Sequence, residues 1–480
     1  MSWTTAVPWL LLAVYGAALI GLAPRSRGPG GFYEGRDSRG RAPSLGFLFG
    51  SIFIAWIFAK SVTNAANLGA TFGLPGAVAY AGYWLSIPVA GLVIVTMRRR
   101  DGARSLTGWL VARYGRVAAT TFLLAILIRL YNEVWSNTAV VGTYFGDKGS
   151  TAYYAGALVF TALTLGYTLK GGLRTSIWTD AIHAGVFAAL LVVIAALTLP
   201  RVTGGEVSRV VSTGSWTLAG GVDLLVVALL QSLSYPFHDP VLTDRAFLSD
   251  PRTTLKAFFL AGGAGALAIT LFGTLGVAAF LSGAPIDDDA PRVVASSIGI
   301  GVLTMVNVVM LASAGSTVDS TFSAVAKAVN VDAPGVRGRG PSGLTAGRVA
   351  MVAAAILGNL PLFAGTAILE ATTISGTMVL GLAPVFVLGL FLRAPALSFH
   401  LAFWIGVATG VIDVLGLVPS ALRIGDGSYA GLLGANVWGL LLATVAFLAP
   451  WLWRLARRTP IVEPVRDADR EIAPAPAATA

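Results

Sequence analysis

The sequence predicts an all-α integral membrane protein with about 13 membrane-spanning helices. Apolar residues make up 55% of the 480 residues, only 12% are charged, and the mean hydropathy is +0.76. A soluble domain carries about 25% charged residues, so this composition excludes a water-soluble fold. The net charge of +10 does not indicate nucleic-acid binding, because the basic residues lie in short loops beside hydrophobic segments, as in membrane proteins.

Thirteen segments are apolar and long enough to cross a bilayer, which takes about 20 residues. They lie at 3–22, 46–71, 76–97, 117–145, 152–169, 176–199, 219–237, 256–282, 297–328, 347–366, 369–392, 398–418 and 430–453. Of the 33 Lys and Arg residues, 26 lie in one set of alternate loops and 5 in the other. Because cytoplasmic loops carry the positive excess, we expect an outer N-terminus, a cytoplasmic C-terminus and a location in the plasma membrane.

The first segment, 3–22, has no basic residues before it and two after it, Arg25 and Arg27. This order predicts an uncleaved first span and not a signal peptide. The tail at 456–480 is rich in Pro, Ala and charge, so we expect it to be disordered and too short for an output domain. The 333–346 loop is predicted to be a flexible basic connector, and the three aspartates at 287–289 favour a solvated turn over a cation lure.

Several enzyme classes are excluded by residue content. The chain has no cysteine, which excludes disulfides, thiolate metal sites and cysteine nucleophiles. Its three histidines (His183, His238 and His400) lack metal-ligand spacing, and no HExxH, P-loop, GxSxG or GxGxxG motif occurs in a credible context. The sequence therefore predicts no enzyme activity.

The second segment carries a polar stripe within an apolar helix. Lys60, Thr63, Asn64 and Asn67 follow one another at offsets of three, four and seven residues, which places them on one helical face. We expect the helix to weaken after that stripe, at Asn67, Gly69, Gly73 and Pro75. Polar groups beside a broken membrane helix are typical of transporters, where free carbonyls face an ion. A kinked helix with a merely packing polar face is the alternative.

The fourth segment has a second polar stripe: Arg129, Asn132, Glu133, Ser136 and Asn137. Arg129 and Glu133 are four residues apart and are predicted to neutralise each other. The pair is interpreted as structural, while the two asparagines are candidates for contact with a solute.

Two further spans carry polar groups. Asp180 lies about one turn into the sixth span. It is interpreted either as a residue of the ion pathway or as an acid at a helix end whose side chain reaches the membrane surface. In the ninth span Ser313, Ser316 and Thr317 share a face beside Asp319. We expect their hydroxyls either to face a small cation or to donate to the carbonyls four residues back in the same helix.

Five motifs together resemble the sodium:solute symporter family, which contains proline, sugar and pantothenate symporters. In chain order they are GLPGAV (73–78), SLTGWLVARYG (105–115), GGLRTSIWTD (171–180), DPVLTDRAFLSDPRTTLKA (239–257) and the Ser316-Thr317 pair with Asp332. The resemblance covers most of residues 45–392. It implies a leucine-transporter-like core of two inverted five-helix repeats, at about 46–199 and 219–392.

The domain organisation implied by this resemblance has four parts. They are a first helix and basic loop (1–45), a ten-helix transport core (46–392), two additional helices (393–455) and the tail (456–480).

The resemblance also implies a sodium site between the first and eighth core helices. Its ligands would be the carbonyls of Thr63, Ala66 and Ser313 and the hydroxyls of Ser316 and Thr317, with Asp180 near the inward exit. Two positions depart from the family pattern, Ala65 and Lys60. We expect Lys60 to pair with Asp180 or Asp319 as an inner gate, or to replace the sodium.

The sequence is therefore interpreted as a sodium-coupled symporter that moves a small polar organic solute into the cell. Neither a nucleic acid nor an obligate protein partner is predicted; the lipid bilayer is the expected surrounding. Proton-coupled or sodium-independent transport, with Lys60 or Asp180 involved, remains an alternative, as do a non-transporting sensor and an intramembrane hydrolase. The expected solute contacts are Asn64, Asn67, Asn132, Asn137, Gln231 and Tyr235.

Overall fold

The computed structural model describes residues 3–203, 207–283, 285–286, 289–333, 341–363 and 376–457. Nine helices within these ranges are long and apolar enough to span a membrane, and a bent pair brings the number to ten. Two of the thirteen predicted spans are shorter apolar helices here, Ala6–Leu22 and Val222–Gln231. Because 369–375 lies outside the described residues, the count of thirteen remains a prediction. Half of the 333–346 connector (334–340), Asp287, Asp288 and nearly all of the tail also lie outside them.

The helices up to residue 211 form the first half of the molecule. They are α1 Trp3–Leu22, α2 Pro29–Glu34, α3 Leu45–Ala55, α4 Ala59–Phe72, α5 Leu74–Ala81, α6 Ser86–Asp101, α7 Leu106–Thr143, α8 Thr151–Gly171, α9 Leu173–Thr203 and α10 Ser208–Val211.

The helices of the second half follow in the same manner. They are α11 Val222–Gln231, α12 Pro240–Thr243, α13 Pro251–Ser282, α14 Ala290–Ile298, α15 Ile300–Lys327, α16 Pro341–Gly358, α17 Leu382–Val387, α18 Ala396–Val414 and α19 Ala430–Ala456.

Helices α3 and α4 form one interrupted membrane segment. Their axes differ by 57° across a break at residues 56–58. The sequence predicted a weak point later, near Asn67 to Pro75, and not this break. Gly73 does end α4, with a φ of 72° that suits glycine, but the interruption at mid-segment lies in an aromatic run without Gly or Pro.

The corresponding helix of the second half is also interrupted. Helix α11 ends at Gln231, a 3₁₀ turn covers Tyr235–His238, and the short helix α12 follows. Two halves that each contain a discontinuous helix agree with an inverted-repeat transporter core. The two breaks contact each other, since the Trp56 and Tyr235 rings pack edge to face with their centroids 6.1 Å apart.

Helix α13 packs against α4 through glycines. A Cβ at Gly273 or Gly276 would collide with α4 or α5, lying 1.7 Å from the Ala66 carbonyl oxygen in the case of Gly276. A Cβ at Gly69 would likewise lie 2.2 Å from the Gly273 oxygen. Small residues at such contacts let membrane helices approach closely and gain dispersion energy. This packing fixes α4 and thereby the position of the break.

Candidate ion and solute sites

The break between α3 and α4 leaves backbone groups that side chains of other helices satisfy. The last carbonyls of a helix have no partner within it, and the Ala55 oxygen accepts a hydrogen bond from Thr317 Oγ1 at 3.4 Å. On the other side of the break, the Ala59 N–H donates to Asn137 Oδ1 at 3.0 Å. Helices α15 and α7 therefore hold the two ends of the interruption.

Three hydroxyl residues lie close together along α15, and one of them, Thr317, contacts the break. Thr317 Oγ1 donates to the Ser313 carbonyl at 3.0 Å, and the Ser316 hydroxyl donates to Asp180. Among the described residues, the buried Ser313 hydroxyl has no hydrogen-bond partner. With the Ala55 carbonyl, these groups form a set of oxygen ligands of the kind that hard cations prefer.

Thr63 and Ala66 do not belong to this group, contrary to the expectation for the ion ligands. Both lie inside the regular helix α4, where carbonyls serve the helical hydrogen-bond ladder. The Ala66 oxygen moreover faces Gly276 of α13. The unpredicted break explains the difference, because the carbonyl that it frees lies at Ala55 and not one or two turns into α4.

Arg245 is the site residue that sequence reasoning missed. It was counted among the cytoplasmic loop cations, yet it is buried in a 3₁₀ turn after α12. Its Nη2 lies 2.9 Å from Asp180 Oδ2 and 2.7 Å from Ser320 Oγ, and its Nε donates to Ser51 Oγ at 2.7 Å. Two features of the sequence could have indicated it: the arginine lies inside the DPVLTDRAFLSD motif, and Asp180 had no other partner in its span.

Lys60 pairs with Glu133 and not with Asp180 or Asp319, so the expected partner is corrected. Its Nζ lies 2.5 Å from Glu133 Oε1 and donates to Ser136 Oγ at 3.0 Å. Arg129 also contacts Glu133, as its spacing predicted. The first turn of α4 faces α7, whereas Asp180 is already bound by Arg245.

Asp239 completes a buried cluster of four charges with Lys60, Arg129 and Glu133. Its Oδ2 accepts from Arg129 Nη2 at 3.3 Å and from Trp56 Nε1 at 2.8 Å. Two cations and two carboxylates balance, which offsets the cost of burying them.

A small cavity beside the break has a largely aromatic wall. Its volume is about 20 Å³, and its lining residues are Trp56, Phe58, Ser61, Tyr80, Tyr83, Trp84 and Tyr235. Of the expected solute contacts, only Tyr235 lies in this wall. Asn64 lies behind it, donating to the Tyr80 hydroxyl at 3.1 Å.

The other expected solute contacts are dispersed. Asn132 accepts from Lys60 at 3.4 Å, and Asn137 donates to Glu133 while it caps α4. Asn67 accepts from the Ala290 N–H at 2.9 Å, and Gln231 donates to Asn436 of α19 at 2.9 Å. None of these four side chains lines the cavity: Asn132 and Asn137 contact the first turn of α4, whereas Asn67 and Gln231 contact other helices.

Asp180, His183 and Asp319 form a second buried titratable group. One ligand atom of each lies within 4.8 Å of the others. Asp319 accepts from Thr179 Oγ1 at 2.7 Å, while both ring nitrogens of His183 lack partners among the described residues. Asp319 therefore belongs to this group on α9 and α15, and not to the four-charge cluster around Lys60.

Comparison with known proteins agrees with the resemblance noted in the sequence. The family model of the sodium:solute symporter family matches residues 45–241. The urea-proton symporter DUR3 of Oryza sativa subsp. japonica is 26% identical over 187 residues, or 38% of this chain. That match spans only 25% of the rice protein's length.

Two solved structures show the fold. A Na⁺-coupled sialic acid symporter, in a substrate-bound outward-open state, has a TM-score of 0.69 at 16% identity, over 93% of this chain and 98% of that one. Mhp1, a nucleobase-cation-symport-1 family transporter in a closed conformation with bromovinylhydantoin bound, has a TM-score of 0.56 at 14% identity, with the same coverage. The predicted all-α, leucine-transporter-like fold is confirmed. All three proteins are transporters, which agrees with the predicted function class and not with an enzyme.

Proposed function

We propose that this chain, which resembles the sodium:solute symporter family over residues 45–241, is a plasma-membrane symporter that uses sodium to move a small polar organic solute inward. It is a multi-pass membrane protein, and the family match and fold neighbours support solute symport. The observation that carries the proposal is the contact at the helix break, where the Ala55 carbonyl accepts from Thr317 of α15, the helix that also carries the Ser313 and Ser316 hydroxyls.

In this proposal the sodium ion, as cargo, binds between α3 and α15. The carbonyl of Ala55 and the hydroxyls of Ser313, Ser316 and Thr317 supply its ligands. Sodium is a hard cation that favours such neutral oxygens, and the Asp180 carboxylate behind Ser316 adds a negative charge nearby. The hydrogen bonds that these groups now make with one another would give way to the ion.

The solute site lies in the aromatic-walled cavity on the other side of the same break. The interrupted segment of α3 and α4 then borders both sites, so the ion and the solute bind against the same stretch of backbone. Alternating access follows from movement of the bundle around this point.

Arg245 closes the pathway on the cytoplasmic side in this mechanism. Its guanidinium joins Ser51 of α3, Asp180 of α9 and Ser320 of α15, three helices that must separate for the ion to leave inward. The four-part domain organisation expected from the sequence, with the core at 46–392, is retained as part of the proposal.

Proton coupling is the second candidate, because Asp180, His183 and Asp319 form a buried titratable group and the rice relative is a urea-proton symporter. The full chain in proteoliposomes separates the two. Solute uptake is measured with an inward sodium gradient and in sodium-free buffer, each with and without an inward proton gradient. Uptake stimulated by sodium supports the proposal, whereas sodium-independent uptake driven by the proton gradient would replace it with the second candidate.

A further inference from the structure

Two cations lie directly behind the wall of the aromatic cavity. Lys60 Nζ lies 5.1 Å from the centroid of the Phe58 ring, and the Arg129 guanidinium lies 5.3 Å from Phe58 and 5.2 Å from Tyr235. Aromatic rings attract cations through their negative faces, and here two resident cations use that attraction. A cationic solute in the cavity would therefore meet two like charges within a few ångströms, in a medium of low dielectric.

No charge on the wall compensates a charged solute of either sign. The seven lining residues are uncharged. The nearest carboxylates, Glu133 and Asp239, are bound to Lys60, Arg129 and Trp56. Because the four-charge cluster is balanced, an anion would have to break one of these pairs, at a cost of several kcal/mol. An uncharged solute avoids both penalties.

The wall nevertheless offers hydrogen bonds. The Tyr83 hydroxyl is buried and has no partner among the described residues. The Tyr80 hydroxyl, by contrast, accepts from Asn64 at 3.1 Å and donates to Ser61 Oγ at 3.5 Å, so Tyr83 is the donor that the wall holds ready. A phenolic O–H without a partner costs free energy when buried, and a solute carbonyl would remove that cost.

The size and shape of the cavity restrict the solute further. About 20 Å³ of space is little more than the 10–15 Å³ that one water molecule needs. The Tyr80–Tyr83, Tyr80–Trp84 and Tyr83–Tyr235 ring centroids lie 5.5 to 6.1 Å apart in tilted or edge-on pairs, so these rings contact one another and must part to admit a solute. A flat molecule of few atoms requires the smallest such movement. A sugar requires a much larger opening.

We propose that the cavity selects a small, flat, uncharged amide, such as a urea or a short carboxamide, and rejects quaternary ammonium ions despite its aromatic wall. This inference rests on the proposed function, because it assigns the solute of the same site. The carbonyl oxygen of the amide accepts from Tyr83, and its plane stacks on the rings.

The test uses the full chain in proteoliposomes, with protein-free liposomes to measure leak. Uptake of radiolabelled urea, acetamide, choline, proline and glucose is compared, with and without sodium and proton gradients. We expect protein-dependent uptake of urea and acetamide only. Uptake of choline, proline or glucose without uptake of either amide would overturn the inference.

Two matched tyrosine variants test the contact. Tyr83→Phe should raise the half-saturation concentration for the amide about three- to tenfold, the value of one neutral hydrogen bond. Tyr144 also has a buried hydroxyl without a partner among the described residues but does not line the cavity, so Tyr144→Phe should change nothing. Equal half-saturation in both variants would contradict the role of Tyr83, and thermal unfolding checks that both fold.

Failure of the inference and failure of the proposed function give different results. Amide uptake that responds to neither gradient would overturn the coupling and leave the solute class intact. Gradient-driven uptake of choline, proline or glucose alone would overturn the solute class and leave the coupling intact. If none of the five solutes is taken up, both are overturned.

Discussion

Ser316 and Thr317 are adjacent residues with different partners, one a carboxylate and the other two backbone carbonyls. The Ser316 hydroxyl links α15 to α9, and the Thr317 hydroxyl links α15 to α3. At this scale the proposal depends on two oxygen atoms, which can be removed without a change of charge.

Replacing both residues, as Ser316→Ala with Thr317→Ala, should weaken sodium binding by at least about tenfold. Each contact with a charged group contributes about 1.5–3 kcal/mol, and about 1.4 kcal/mol is a factor of ten. The measurement is sodium-dependent solute uptake as a function of sodium concentration. Thr304→Ala with Ser323→Ala, which removes two hydroxyls of the same helix that bond to carbonyls four residues back, is the control. Unchanged sodium dependence in the first variant would exclude the assigned site.

Lys60→Met should destabilise the protein by about 3–5 kcal/mol, because it leaves the four-charge cluster with an uncompensated buried carboxylate. Adding Glu133→Gln restores neutrality and should recover part of the loss. Adding Asp180→Asn instead should recover none, since Asp180 is bound by Arg245. Thermal unfolding of the purified variants in detergent provides the measurement. Recovery with Asp180→Asn alone would favour the pairing expected from the sequence.

At the scale of single elements, the type and order of the helices could be predicted from the sequence, but the break could not. Gly69, Gly73 and Pro75 weaken a helix in isolation, yet Gly69 lies within α4, where its lack of a side chain permits contact with α13. The interruption at Trp56 to Phe58 depends on partners far along the chain, namely Thr317 and Asn137. Local composition carries no signal of such partners.

The α4–α13 contact makes a sharp prediction about glycine. Gly276→Ala should lower the unfolding temperature strongly, because the added Cβ would lie 1.7 Å from the Ala66 oxygen and the helices would have to separate. Gly263→Ala, on the same helix, meets no atom within 4 Å. It should leave the unfolding temperature unchanged or raise it, since Ala favours a helix by up to about 1 kcal/mol over Gly. Equal thermal shifts in the two variants would contradict the packing role.

At the scale of the whole molecule, hydropathy and loop charge were sufficient to predict a multi-pass protein, because both follow from the cost of burying charge in lipid. The side-chain pairs were not predictable in the same way. Arg245 was assigned to a loop by its neighbours in sequence, whereas its burial depends on Asp180, which lies 65 residues earlier. Lys60 likewise required knowledge of which helix face α7 occupies.

The predicted orientation can be tested because the chain contains no cysteine. Ser38→Cys and Ser420→Cys place single thiols at exposed positions in two loops that the charge count assigns to opposite sides. A membrane-impermeant thiol reagent on intact cells should label the second variant, and the first only after permeabilisation. The cysteine-free parent is the control, and the opposite labelling pattern would invert the topology.

The shared carboxylate of Asp180 has a thermodynamic consequence. Ser316 contacts it from the ion side and Arg245 from the side of the inner closure, so the two equilibria are linked through one group. Linkage is reciprocal: the factor by which the Arg245 contact changes the sodium dissociation constant equals the factor by which sodium changes the stability of that contact. A variant that weakens only the closure will therefore register in an equilibrium sodium titration, although Arg245 is not itself a ligand of the ion.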